Sequence, residues 1–513
     1  MYEGETSRAV PDIHEPTTSL SVTFSFAPPN RLNLTPSSSS MASLGSCPVE
    51  VVRGILVTLA NTQLAVVCLV NKRLCSIAQP LIFASVKLVW RESKGSGKQH
   101  VRAPPIASLL SILLRQPRLA AHVAQLTIVG EESYDSPDPL SEVPVEGVPV
   151  DEFVACVEAT TTASLRHQWS DELRNGQAEA FVTLLLTQVP NLVSLRLESV
   201  CAHKFQILWK MLTSALCGGQ PTDLPTFHRL RKVAFRSVLS DTMARCHATK
   251  NAGDILPFFY LPALEELSIN THQPRGFAWP SGILPVCENL TSLELFGIRE
   301  GALGQFLSAT GRLQTLRWEC WYDPSATTEG VGPTHKDLDL DQLAADLCVV
   351  RSSLQSLKMT ADCARSDRCM VTTGTLRGLR NLDNLTHLEV PIIFLSGYSR
   401  ESPAKLGAFL PPNLVSLVIT SDLFFFDEYT WNDSSHISLV EEWVGSSRDA
   451  APQLKKLTMA IVDQDDEEWQ PENWDRLRRL LSDVGISLTI RVVGWDQDGG
   501  VEVSDYFGTT YRD

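Results

Sequence analysis

"NLVSLRLESV" (191–200) decides the fold once its spacing is found again along the chain. Leu192, Leu195 and Leu197 stand in the frame L-x-x-L-x-φ, where φ is apolar. "NLTSLELFGI" (289–298), "NLTHLEVP" (384–391) and "NLVSLVIT" (413–420) repeat it with Leu290, Leu293, Leu295; Leu385, Leu388, Val390; and Leu414, Leu417, Ile419. The same frame lies in "HVAQLTIVG" (122–130), "RLRKVAFRSV" (229–238), "ALEELSIN" (263–270), "RLQTLRWE" (312–319), "SLQSLKMT" (353–360) and "QLKKLTMA" (453–460), which makes ten copies. In each, the first apolar residue approaches from a loop, and the next two alternate on a strand with their side chains inward. One such strand cannot bury its apolar face alone, but stacked neighbours can. The copies therefore predict a curved parallel sheet with helices outside it, an α/β solenoid.

The spacing is uneven. From Leu192 onward the first apolar residues are 38, 34, 26, 23, 41, 31, 29 and 40 positions apart. The copies are thus degenerate and separated by insertions. Two stretches read as exposed insertions from their composition: the acidic, Pro-rich 131–152, and "YDPSATTEGVGPTHKD" (322–337). Many copies are preceded by Pro-x-Leu or Asn-Leu. Strand alternation sends the residues beside the inward pair to the open side of the curve. Arg196, Arg236, Glu294, Phe296, Arg317 and Glu319 are the candidate partner-binding residues there, with Lys232, Glu266 and Lys358 also facing out. Arg196, Arg236, Glu294 and Arg317 are expected to come together through stacking, and the three arginines to suit an acidic or phosphorylated partner.

Upstream of the repeats, "CPVEVVRGILVTLANTQLAVVCLVNKRLCSIAQPLIF" (47–83) reads as three short helices. Pro48 fits a first turn, where its missing N–H costs nothing, and Glu50 suits the positive end of the helix dipole. Val51, Val52, Ile55, Leu56 and Leu59 recur at helical period. Thr62 is the expected cap of a second helix bearing Leu64, Val67 and Val70, and Asn71 that of a third, which Pro80 should stop. So small a unit needs a partner for its apolar face.

These residues resemble an F-box. Pro48 and Glu50 match the family's opening pair, Ile55, Leu56 and Leu59 its first helix, and Leu69-Val70-Asn71-Lys72-Arg73 its turn; Cys47 and Leu74 stand where a Leu and an aromatic residue are usual. "SIAQPLIFASVKL" is similar to the exit of fungal F-box proteins, where a strand opens the next domain. The frame of the body is that of leucine-rich repeats, without the Asn that usually closes each turn. The resemblance implies an F-box with degenerate leucine-rich repeats, the substrate-recognition adaptor of a cullin ubiquitin ligase. The F-box would dock a Skp-type adaptor through Pro48, Val52, Ile55, Leu56, Leu59, Leu64 and Val70, and the repeats would hold a substrate protein. The alternative is a protein-binding scaffold that joins no ligase. The domain expectation is an N-terminal extension at 1–45, an F-box-like unit at 46–88, a solenoid at 89–495 and a polar tail at 496–513.

Bulk properties narrow the function classes. A net charge of −15 gives no basic footprint for nucleic acid or an anionic membrane. Twelve cysteines without a C-x-x-C pair favour free thiols and a reducing compartment. The acidic N-terminus has no apolar core for a signal peptide, and no apolar run spans a membrane, so a cytoplasmic or nuclear location is expected. The sequons at Asn33, Asn289, Asn384 and Asn432 are then expected to stay idle, and Met41 is an alternative start.

No catalytic, cofactor or metal motif survives inspection, so no enzyme chemistry and no cofactor are expected. "KGSGKQH" (94–100) has Glu92 and Gln99 where a phosphate loop needs Gly and Ser or Thr. "DLDLDQ" (337–342) has calcium-loop spacing but Gln342 and Cys348 at the decisive positions, so it reads as charge at a helix N-terminus. Cys363 and Cys369 lack a nearby His, too little for zinc.

Overall fold

The computed structural model describes residues 47–93, 100–130, 140, 142–161, 163–198, 205–218, 223–236, 255–270, 277–322, 337–363, 370–398, 405–424, 426–446, 448–462, 471–495, 501–505 and 509–511. The chain divides into two units, 1–84 and 85–513. The described part of the first holds α1 (Val49–Leu56), α2 (Asn61–Val70) and α3 (Lys72–Ala84). Val52, Leu56, Leu64, Leu74, Ile77 and Ala78 form its core, with Leu59, Val67, Leu81 and Ile82 packed at the margin. Asn71 starts α3 as expected, its Oδ1 accepting the Leu74 N–H at 2.8 Å.

Two local expectations fail here. Thr62 is not a cap: α2 begins at Asn61, and the Gln63 side chain instead accepts the Ala60 N–H at 3.0 Å. Pro80 does not stop α3, which runs four residues further to Ala84. Leu81 and Ile82 pack against the core and Phe83 is buried. That burial outweighs the roughly 3 kcal/mol a proline costs inside a helix.

The second unit is α/β and is built on one large sheet. Its strands in chain order are β1 (Ser85–Val89), β2 (Arg91–Ser93), β3 (His100–Arg102), β4 (Gln125–Val129), β5 (Ser194–Glu198), β6 (Lys232–Arg236), β7 (Glu266–Asn270), β8 (Ser292–Phe296), β9 (Thr315–Tyr322), β10 (Asp337–Asp339), β11 (Ser356–Cys363), β12 (Val371–Thr373), β13 (His387–Pro391), β14 (Ser416–Thr420), β15 (Lys456–Val462), β16 (Ser487–Trp495), β17 (Val501–Asp505) and β18 (Thr509–Tyr511). The sheet order is β1-β4-β5-β6-β7-β8-β9-β11-β13-β14-β15-β16-β17-β18; β2 pairs with β3, and β10 with β12. Twelve strands, β1 to β16 in that order, run parallel, and β17 and β18 close the end antiparallel. Helices and 3-10 turns connect most successive parallel strands, β7 to β8 excepted among the described residues, a solenoid-like arrangement.

All ten sequence copies become strands of this sheet. Their middle apolar residues align in one register line, Leu126, Leu195, Val233, Leu267, Leu293, Leu316, Leu357, Leu388, Leu417 and Leu457. All ten are buried. At each strand entrance one carbonyl takes two N–H groups from the next copy. Ala124 O accepts from Val193 (2.8 Å) and Ser194 (3.0 Å), and Gln355 O from Thr386 (2.9 Å) and His387 (3.1 Å). The Asn-Leu signal gains a mechanism: the side-chain amides of Asn191, Asn289, Asn384 and Asn413 each donate to a carbonyl of the preceding copy, at 2.9, 3.1, 2.6 and 2.8 Å. Two of these, Asn289 and Asn384, are sequon residues.

The sheet has two parallel strands more than the repeat frame finds. β1 belongs to it, with Val86 beside Leu126 and Leu88 beside Ile128, so the boundary falls at 84/85 rather than after 88. Phe83 holds the place of the first leucine there. β16 pairs with β15, but its first-leucine place is Gly485, whose φ of +76° ends the preceding helix in a conformation that leucine resists. The insertion expected at 131–152 is also shorter. Leu140 and Val143 are buried, the Val143 N–H donates to Gly176 O at 2.7 Å, and Val150 already begins a helix. Residues 131–139, 141 and 323–336 lie outside the described residues.

Candidate functional site

Two surfaces stand out. The first lies on the N-terminal unit. Of the seven residues expected to meet an adaptor, Val52, Leu56 and Leu64 are core instead, at 0%, 4% and 3% exposure. A three-helix unit this small uses its best apolar positions on itself. Leu59 is half-buried, whereas Pro48, Ile55 and Val70 are exposed. The apparent single stripe of α1 is two, one side inward and the other outward. Val51 and Ile55, one turn apart, are both about half exposed, and Val66, Leu69 and Val70 do the same on α2 at 64–71%. Val51, Val66 and Leu69 were missed because burial toward the unit's own core and burial toward a partner carry the same periodic signal. These five large apolar side chains stay exposed on a unit that already has a core of its own. The Arg73 guanidinium holds the Cys47 carbonyl, tying the start of α3 to the residue pair that opens α1.

The second surface is the open side of the sheet. Alternation places Arg196, Glu294, Arg317, Lys358 and Glu389 there, and successive registers bring Glu294, Arg317, Lys358 and Glu389 side by side. The expected arginine patch does not form. Arg196 and Arg317 are four strands apart, ~19 Å at about 4.8 Å per strand, and Arg196 is held by Glu198 of its own strand at 2.8 Å. The side chain of Arg236 lies outside the described ones. Arg317 sits over the Phe296 ring, 5.2 Å from its centroid, and its Nε makes no hydrogen bond. Glu319, expected on the open surface, is only 8% exposed. Of the other outward groups, Lys358 pairs with Glu389 at 2.7 Å, Lys232 with Glu266 at 2.7 Å, and Ser268 donates to Glu294 at 2.7 Å.

One acidic residue on this face was not singled out. β13 stops pairing with β11 after Glu389, while β11 continues to Cys363. Asp422, just past β14, reaches into the gap and accepts the Ala361 N–H at 2.7 Å. Burial pushes its carboxyl up to about 6, opposed by the Ala361 hydrogen bond and reinforced by Glu389 and Asp362. Extending the alternation of Leu417 and Ile419 to Ser421 would have put Asp422 outward.

Elsewhere the acidic motifs are structural. In "DLDLDQ", Asp339 caps the helix Leu340–Leu347 by accepting the Gln342 N–H at 3.0 Å, and Asp341 accepts the Thr375 N–H and hydroxyl at 3.1 Å. Among the described residues no His, Cys, Asp and Glu group could hold a metal ion, and no helix is long and apolar enough to cross a membrane. Nine described cysteines are free thiols. Cys369 and the "KGSG" stretch lie outside the described residues. No protein-family model matches the chain, and no curated protein matches it.

Proposed function

We propose that this chain is the substrate-recognition adaptor of a Skp–cullin ubiquitin ligase, an F-box protein with degenerate leucine-rich repeats. The observation that carries the reading is the outward apolar face of α1 and α2 on a unit that already has its own core. Such a face, left in water, is unfavourable by about 25 cal/mol per Å², and a partner helix surface would relieve it. The repeated sheet adds a broad polar surface suited to a folded or peptide partner. The chain would perform no bond chemistry itself. It would hold the substrate near the ubiquitin-loaded enzyme and raise its effective concentration there.

The test is co-purification with a Skp-type adaptor. Val51→Asp with Ile55→Asp places two charges on the outward face without touching Val52 or Leu56. Binding should fall at least ~100-fold, since a buried unpaired carboxylate costs several kcal/mol. Leu56→Asp is the wrong probe, because it would unfold the unit. Wild-type protein that fails to bind the adaptor, or a double variant that binds undiminished, overturns the reading. Partner binding by the solenoid with no adaptor binding would leave a scaffold outside any ligase.

A further inference from the structure

We propose that Arg317, lying on the Phe296 ring, is the seat for an acidic side chain of the protein partner, so that the open face takes a segment whose Asp or Glu carboxylate binds across Arg317 and Lys358. This rests on the reading of the open face as the partner-binding surface. It narrows the acidic-partner expectation from three arginines to one.

The seat is made by what its neighbours do. Ser268, Glu294, Arg317, Lys358 and Glu389 stand side by side in one register row on β7, β8, β9, β11 and β13. About 4.8 Å separates each strand from the next. The two residues flanking Arg317 are engaged on their far sides. Glu294 accepts from Ser268 at 2.7 Å, and Lys358 pairs with Glu389 at 2.7 Å. From β5 to β16 the row holds three cations. Arg196 is held by Glu198 and Lys358 by Glu389, whereas Arg317 has no acidic partner among the described residues.

Three features set Arg317 apart from a solvated surface charge. Its Nε is closed off from water and makes no hydrogen bond, and native proteins leave few buried donors unspent. Its guanidinium carbon lies 5.2 Å from the centroid of the Phe296 ring, which holds the fork in place before any partner arrives. Its next neighbour in the row is a second cation, Lys358, and like charges directly opposite repel unless an anion joins them. A guanidinium presents paired N–H donors that match the two oxygens of one carboxylate. A single carboxylate on Arg317 would therefore gain a bidentate contact and the nearby charge of Lys358. A polyanion is the poorer match, because it would extend over Glu294 and Glu389 on either side, on a chain of net charge −15.

The test measures fluorescence anisotropy of the full chain with three pools of short labelled peptides, randomised except for a fixed central residue: Asp or Glu, Asn or Gln, and Lys or Arg. The acidic pool should bind best, ~10-fold more tightly than the amide pool, and weaken with added salt. Arg317→Gln should remove that preference, and Arg317→Lys, which keeps the charge but loses the fork, should keep part of it. Glu389→Gln releases Lys358 beside the seat and should tighten the acidic pool ~3-fold, a gain that a merely structural Arg317 would not give. Arg196→Gln, an equal charge change at a cation already held by Glu198, should leave binding within ~2-fold. Binding of no pool, a preference for the amide or basic pool, an acidic preference that survives Arg317→Gln, or an equal loss in Arg196→Gln overturns the proposal. Circular dichroism melts show whether each variant is folded; should Arg317→Gln not fold, the presence or absence of the Glu389→Gln gain decides. The adaptor assay is read separately: adaptor binding with no acidic preference sinks this inference alone, and the converse sinks the ligase reading alone.

Discussion

At the scale of single residues, two buried ionisable groups pull stability in opposite directions with pH. His436 is 2% exposed; its Nδ1–H donates to Asn432 O at 2.8 Å, and Nε2 has no partner. Burial lowers its pKa from 6.5 to about 4. The unfolded chain therefore takes up the proton first as pH falls. The stability contribution is complete above about 6.5 and is lost as pH falls through 4, up to roughly 3 kcal/mol. His436→Leu should make melting temperature less sensitive to pH across that window; an unchanged slope refutes the assignment. Asp422 has the other sign. Its pKa is raised from 3.8 to about 6, so its contribution is present below about 4 and lost as pH rises through 6. Asp422→Asn keeps an acceptor for the Ala361 N–H and removes the buried charge. Its melting temperature should exceed that of wild type at pH 7.5, with the gap closing below pH ~4.

At the scale of elements, the asparagine ladder and the inward leucines do different work. Leu293 and Leu388 are buried at 0% and 2% exposure, so replacing either with Ala should cost roughly 2–5 kcal/mol in chemical denaturation. Glu266, exposed and paired with exposed Lys232, should tolerate Ala within about 0.5 kcal/mol. A reversed ranking would mean that the strand register is off by one residue. Asn384 and Asn413 each satisfy one carbonyl of the preceding copy. Asn384→Ala should cost about 0.5–1.5 kcal/mol, and Asn384→Asp about as much, because a carboxylate cannot donate that bond. The ladder was half-visible in the sequence as a recurrent Asn-Leu, but the acceptor lies some thirty residues away and leaves no trace beside it.

At the scale of the whole molecule, the sheet is a one-dimensional stack in which each strand depends on its neighbours. A chain beginning at Ser85 retains β1 and should fold with a sheet complete at that edge. A chain beginning at Arg91 lacks β1, exposes the ladder groups of β4 together with Leu126 and Ile128, and should aggregate or melt lower. Light scattering and melting of the two fragments decide this. Equal behaviour would show that β1 contributes nothing to the stack.

The sequence by itself determined the repeated strand, its inward pair and its period, because alternation is local and each copy writes it in eight residues or so. It also determined the three short helices before the repeats. Tertiary structure alone decided which side of α1 is core, since helical period marks an apolar stripe but not what covers it. It brought in β1 and β16, whose frame positions carry Phe83 and Gly485 in place of leucine. It separated Arg196 from Arg317, because distance across a sheet depends on how many strands intervene. And it carried Asp422 over the end of β13 to Ala361, 61 residues away in the chain. Contacts of that kind follow from where strands stop, which depends on the whole stack.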